Sequence, residues 1–169
     1  MKRILIIGRS GAGKTTFAGK LGKVLNRDVI HLDNIFWKPG WVRAFTSDEW
    51  QKKINDLTEK EEWILDGNYH NTLAMRLQRA DTVIFFDFNP FRTLVNACMR
   101  KHLPPKESGD TVERLHSEVG FFKLVKSIFK FPTRKVREQI EKTAGKDVFV
   151  IKNRREAEQT LQKLAMNPE

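Results

Sequence analysis

Apolar residues along this chain follow two alternating rhythms: short unbroken runs, and longer stretches in which they return every third or fourth position. The first run, KRILIIG (2–8), is rich in isoleucine and closes on glycine, as a strand buried on both faces does. Behind it, KTTFAGKLGKVL (14–25) sets Phe17, Leu21, Val24 and Leu25 at helical spacing. The pair then repeats. DVIHL (28–32) precedes TSDEWQKKINDLTEK (46–60), a helix expected to open on a Ser/Asp cap. EWILDG (62–67) precedes TLAMRLQRA (72–80). DTVIFFDF (81–88), stopped by Asn89 and Pro90, precedes FRTLVNACMRK (91–101), and DVFVIK (147–152) precedes REAEQTLQKLA (155–165). Strands separated by helices predict a parallel sheet with right-handed crossovers, an α/β domain of three layers.

Residues 102–145 break the alternation. Pro104, Pro105 and Gly109 mark a loop, and an amphipathic, basic helical stretch follows. An insertion of this length in a compact domain is of the kind that forms lids.

Composition narrows the class. At 169 residues and 40% apolar, with no repeat, low-complexity tract or Gly/Ser linker, the chain reads as a single domain spanning 1–169. Cys98 stands alone, which excludes an internal disulfide framework, and four histidines without paired cysteines give no zinc spacing. The run Ile4–Ile7 is too short for a signal-peptide core, and nowhere is there an apolar run of about 18 residues. A cytoplasmic protein without membrane contact is expected. The net charge of +10 is uneven: residues 1–90 carry 14 Lys/Arg against 11 Asp/Glu, and residues 91–169 carry 17 against 10. The window FFKLVKSIFKFPTRKVR (121–137) holds six basic residues and no acid. Such a face attracts polyanions, whether nucleic acid, anionic membrane or nucleotide phosphate, and it is equally the composition of a solvated basic surface.

Between the first strand and the first helix, Gly8, Arg9, Ser10, Gly11, Ala12, Gly13, Lys14 and Thr15 fit G-x-x-x-x-G-K-[ST], a P-loop in its required context. Glycines let successive peptide N–H groups converge, and the helix N-terminus adds its unpaired donors and positive dipole end, so together they cradle a triphosphate. Lys14 is then placed for the β- and γ-phosphates, Thr15 for Mg²⁺ and Thr16 for the α-phosphate. ATP with Mg²⁺ is the expected ligand. No Asn-Lys-x-Asp guanine signature occurs, KNRRE being the nearest string, and the length leaves no space for helicase modules. A short core with a basic lid suits a small phosphotransferase, which must exclude water while the phosphoryl group is in flight.

The strings GRSGAGKTT, HLDNIFWKPGW, EWILDGNYHNTLAMRL, ADTVIFFDFNPFRTL and VFVIKNRREAEQTL resemble the nucleoside-monophosphate-kinase-like (adenylate-kinase-like) branch of P-loop proteins. More narrowly they resemble the DNA topology modulation protein (FlaR-related) family, through the Trp-x-Pro-Gly-Trp and Asp-Gly-Asn-Tyr segments. The resemblance implies a P-loop NTPase fold with a five-stranded parallel sheet in the order 2-3-1-4-5. It also implies an acceptor-side segment at about 33–62 and a helical lid at about 102–140. It places Asp33 at the acceptor, Asp66 on Mg²⁺ or its waters, Arg100 at the lid entrance, and Arg134 and Arg137 near the transferring phosphoryl group. Asn153 and Arg154 would border the adenine.

One departure matters. Adenylate kinases follow the strand-3 Asp-Gly with Phe-Pro-Arg, whose arginine binds the acceptor phosphate; here Asn68, Tyr69 and His70 follow. The arginine usual after the second strand is replaced by NIFWKPGW. Without two bidentate clamps a nucleoside monophosphate is disfavoured as acceptor unless Arg43 or Arg76 substitutes. A neutral hydroxyl acceptor fits, with Asp33 as its general base.

Several residues carry two readings. Asp33 is either the acceptor's base or a turn or helix cap, and Asp87 is a competing carboxylate whose Asn-Pro successor reads as a structural turn. Trp37 and Trp41 either wall the acceptor pocket or pack in the interior, and His31 and His70 are assigned no catalytic role. The expected activity is an ATP-dependent small-molecule or nucleotide kinase. The alternative is a nucleic-acid-binding regulator using ATP as a ligand or switch, through Lys123, Lys126 and Lys130 with the phenylalanines interleaved among them.

Overall fold

The computed structural model describes residues 1–101, 118–143 and 145–166. Its centre is a five-stranded parallel sheet made of β1 (Arg3–Gly8), β2 (Val29–His31), β5 (Trp63–Asp66), β6 (Thr82–Phe86) and β7 (Asp147–Ile151). Between β2 and β5, the strands β3 (Trp37–Lys38) and β4 (Val42–Arg43) form a separate antiparallel pair. The large sheet runs β2-β5-β1-β6-β7, which is 2-3-1-4-5 when the small pair is left out of the count.

Helices α1 (Lys14–Leu25), α3 (Ser47–Thr58), α4 (Leu73–Arg79), α5 (Pro90–Lys101) and α8 (Arg154–Met166) follow the five strands as their spacing predicts. A one-turn α2 (Leu32–Phe36), α6 (Glu118–Phe129) and α7 (Thr133–Glu141) complete the set among the described residues. The cap of α3 differs from expectation. Thr46, one residue before Ser47, is the N-cap, and it forms a reciprocal box with Glu49: Thr46 Oγ1 accepts from Glu49 N at 3.3 Å, and Glu49 Oε2 accepts from Thr46 N at 2.8 Å.

Two cores sandwich the sheet because β1 alternates its side chains. Leu5 and Ile7 face Trp50 and Ile54 of α3, Leu73 and Leu77 of α4, and Val136 and Ile140 of α7. Ile4 and Ile6 face Phe17 and Leu21 of α1 and Leu161 and Leu164 of α8. Burying both faces is why β1, β5 and β6 read as unbroken apolar runs. The edge strand β7 departs from that: Val148 and Val150 are exposed. No helix among the described residues is long and apolar enough to cross a membrane. Within the expected lid, residues 102–117 lie outside the described residues, and 118–140 form α6 and most of α7.

Candidate active site

The carboxyl ends of β1, β2 and β5 meet at one place, because parallel register aligns Ile6 and His31 on either side of Asp66. Ligands of open α/β sheets gather at such an edge. Gly8 ends β1 at φ 139, Gly13 caps α1 at φ 92, and the loop between them turns the chain back over the sheet. Lys14 Nζ donates to the carbonyl of Arg9 at 3.0 Å, so the lysine folds back across its own loop. Ala12 is buried, Ser10 half-buried, and Thr16 exposed on the first turn of α1 with Thr15.

Thr15 and Asp66 come together. Thr15 Oγ1 donates to Asp66 Oδ2 at 3.0 Å, and the same oxygen meets His31 Nδ1 at 3.1 Å. The other carboxylate oxygen, Oδ1, is buried with no hydrogen-bond partner. The hydrogen bond that Asp66 accepts from the ring, and then the charges of Asp66 and Asp33, hold the His31 imidazole above its ordinary pKa of 6.5 against the opposing effect of burial. Among the described residues no three His, Cys, Asp or Glu side chains cluster as a cage for a cation. A hydroxyl beside one carboxylate with an orphaned oxygen is instead the sparse oxygen set that suits Mg²⁺, which keeps waters and phosphate oxygens as its other ligands.

Asp33 lies in the first turn of α2, whose N-cap is His31 and has no side-chain cap bond. The capping alternative for Asp33 therefore gives way to another contact: its Oδ1 accepts from the Tyr69 hydroxyl at 2.7 Å. Tyr69 sits at φ 25, a left-handed backbone uncommon for a non-glycine residue, and its ring packs against Phe36 and Trp50 with centroids 4.8 and 4.9 Å away. Trp37 stands edge-on to Phe36 at 4.8 Å, and the Trp41 side chain lies outside the described residues.

Arg76 does not serve as a phosphate clamp. It is fully buried, and its guanidinium donates to the carbonyls of Gly67 (2.7 Å), Asn68 (2.6 Å) and Tyr69 (2.8 Å). Burial lowers its pKa well below the ordinary arginine value, to about 9, so it stays a cation at neutral pH. Arg43, the other candidate, is exposed on β4 opposite Trp37.

Arg134 is exposed and bonds Glu138 at 2.8 Å on its own helix, while Arg137 pairs with Asp87 at the end of β6. The structure thus keeps Asp87 in an ion pair with Arg137 and leaves Arg134 exposed. The Arg100 side chain lies outside the described residues. Between α5 and the start of α8, a cavity of about 550 Å³ is lined by Phe88, Phe91, Val95, Asn96, Asn153 and Arg154 among others. Arg154 Nη2 donates to Asn96 Oδ1 at 2.9 Å, and Asn153 caps α8, accepting from Glu156 N at 3.0 Å.

Sequence reasoning passed over three contacts that build this site: His31 on Asp66, Tyr69 on Asp33, and Asn68 Oδ1 accepting from Gly8 N at 3.1 Å. Each joins residues 35 or more positions apart, which local spacing does not encode.

The chain is similar to shikimate kinase from Acinetobacter baumannii in complex with shikimate, with a TM-score of 0.62, 17% identity, and coverage of 97% of this chain and 90% of that one. The two share their fold. Shikimate kinase from Bacteroides thetaiotaomicron matches at a TM-score of 0.55 and 15% identity over 98% of this chain and 97% of its own. A gluconokinase from Sinorhizobium meliloti matches at 0.50 and 15% over 99% and 95%. The uncharacterized protein YqaC of Bacillus subtilis is 36% identical over 67 residues, 39% of this chain and 38% of YqaC's length. The chain matches no family model.

Proposed function

We propose that the protein is an ATP-dependent phosphotransferase that moves the γ-phosphoryl group of ATP to the hydroxyl of a small, uncharged acceptor. The observation that carries this is the junction at the ends of β1, β2 and β5. There Thr15 and the half-orphaned Asp66 stand beside the P-loop lysine, and Asp33 is two residues beyond His31 on the same edge. Mg²⁺, when bound, would neutralise phosphate charge from the Thr15 and Asp66 oxygens. Lys14 would exchange the Arg9 carbonyl for phosphate oxygen, and the peptide donors of residues 8–13 would hold the chain of phosphates. Asp33 would take the proton of the acceptor hydroxyl as that oxygen bonds to the γ-phosphorus and the bridging bond to the leaving ADP breaks. Asn153 and Arg154, at the 550 Å³ cavity, border the base in this reading. Arg134 and Arg137 belong to the lid, with Arg100 at its entrance, and act when the lid brings them inward.

An uncharged acceptor is favoured because the arginine best placed in sequence to grip a second anionic group, Arg76, is committed to three carbonyls, while aromatic rings surround Tyr69 beside Asp33. The DNA-regulator reading, which accompanies the topology-modulation resemblance, rests on the charge of the 121–137 window. One of that window's phenylalanines, Phe131, packs in the core against Phe85.

The test is titration calorimetry with Mg·ATP, followed by an acceptor panel of neutral polyols and nucleosides beside their phosphorylated counterparts. Lys14→Met should weaken nucleotide binding by about 100-fold, as loss of a charge-assisted phosphate contact does. Asp33→Asn should lower kcat by about 100-fold or more with ATP affinity little changed. ATP consumption that needs no acceptor and ignores Lys14→Met would reject the proposal.

A further inference from the structure

Arg76 is the one charged side chain that is fully buried among the described residues, and its guanidinium donates to three backbone carbonyls. A cation withdrawn from water without a carboxylate is costly, and a buried arginine kept for stability is commonly paired with an acid. Its position shows what it does instead. The three carbonyls belong to consecutive residues, Gly67, Asn68 and Tyr69, which leave β5 just after Asp66. Each of the last two carries an outward contact to the site: Asn68 Oδ1 to the amide of Gly8 where the P-loop begins, and the Tyr69 hydroxyl to Asp33. Tyr69 also holds a left-handed backbone, a conformation that persists where surrounding contacts over-determine it.

We infer that Arg76 is a positioning residue: its planar fork gathers the carbonyls of residues 67–69 and thereby fixes Asn68 on the P-loop and Tyr69 on Asp33. Nucleotide side and acceptor side are tied to one buried guanidinium that touches neither substrate. Lysine, with donors radiating from a single nitrogen, does not reproduce a fork that serves three carbonyls from two nitrogens. The consequence for substrates rests on the phosphotransferase reading above; the consequence for the loop does not.

The test uses the fact that Tyr69 is the chain's single tyrosine. ¹³C-tyrosine labelling therefore gives one set of ring resonances that reports this loop alone. Arg76→Ala is expected to shift that set and to raise the dissociation constant for Mg·ATP by about tenfold, in keeping with the penalty of a misplaced site. Guanidinium chloride well below its denaturing range should restore both, and equimolar sodium chloride should restore neither. Arg79→Ala is the control, since Arg79 is bonded to Asn55 and Thr58 outside the loop. It should lower Tm while leaving the tyrosine resonances and nucleotide affinity in place. If Arg76→Ala does not fold, Arg76→Lys carries the same expectation for the tyrosine signal. Wild-type tyrosine resonances in a folded Arg76 variant, or recovery with sodium chloride equal to that with guanidinium, overturn the inference. Should the wild-type protein bind no Mg·ATP, the phosphotransferase reading falls, and the tyrosine signal still decides the role of Arg76.

Discussion

Gly8→Ala separates the steric demand of the P-loop from its need for flexible backbone. Gly8 pairs in register with Phe86 across β1 and β6, and a Cβ there would lie 2.3 Å from the Phe86 carbonyl oxygen and 2.6 Å from its Cβ. Both neighbours belong to a central strand, so relief requires β1 and β6 to part, which also strains the Arg9 N to Phe86 O bond at 3.3 Å. Overpacking of this kind costs about 1–3 kcal/mol. The φ of 139 adds backbone strain of about 1–3 kcal/mol for a residue with a side chain. The sum, about 4 kcal/mol, lowers Tm by about 8–16 °C in a domain of this size. Gly13 supplies the comparison, because at φ 92 a Cβ there meets nothing within 4 Å. Gly13→Ala should therefore show strain alone, about 1–2 kcal/mol. Thermal unfolding followed by circular dichroism, without nucleotide, measures both. Equal losses of Tm in the two variants, or a Gly8→Ala protein melting with wild type, would refute the steric account.

Two further outcomes follow from local contacts. In metal-free protein held in EDTA, the raised His31 pKa means that its pairing with Asp66 is fully stabilising below about pH 6.5, where the unfolded chain is also protonated, and fades as pH rises through the native value. The Tm difference between wild type and His31→Asn should thus shrink as pH rises from about 6 to about 8.5, and a difference that widens would contradict the assignment. Thr46→Ala removes one half of the capping box on α3 and should cost about 1 kcal/mol. Urea unfolding reads it as a lower midpoint with unchanged slope, and an unchanged midpoint would deny the cap its role.

What the sequence made legible was what depends on neighbours in the chain. Ile4–Ile7 and Val83–Phe86 announce strands because both faces are buried, and the P-loop announces itself because its glycines, lysine and threonine must be consecutive. The pattern of β7 did not show its exposure: DVFVIK reads like the central strands and only the family resemblance put it at the edge, yet Val148 and Val150 face outward. Residues 32–43 hid a one-turn helix and a two-residue hairpin, since WKPGWVR shows neither period and is held by the cluster of Phe36, Trp50 and Tyr69. Arg76 read, with Arg43, as a candidate clamp for an acceptor phosphate. Only the return of residues 67–69 over α4 turns it into a buried cation, and that return is a property of the folded backbone.

The strand order also sets a timetable for synthesis. Among the described residues β1, the first of the strands to be made, pairs with β5 and β6, and β2 pairs with β5. Neither early strand has a partner until Trp63–Asp66 leaves the ribosome, which at about 5–20 residues per second takes several seconds of elongation after Arg3. Through that interval Ile4–Ile7 is an apolar strand with open edges, a segment that a chaperone would shield.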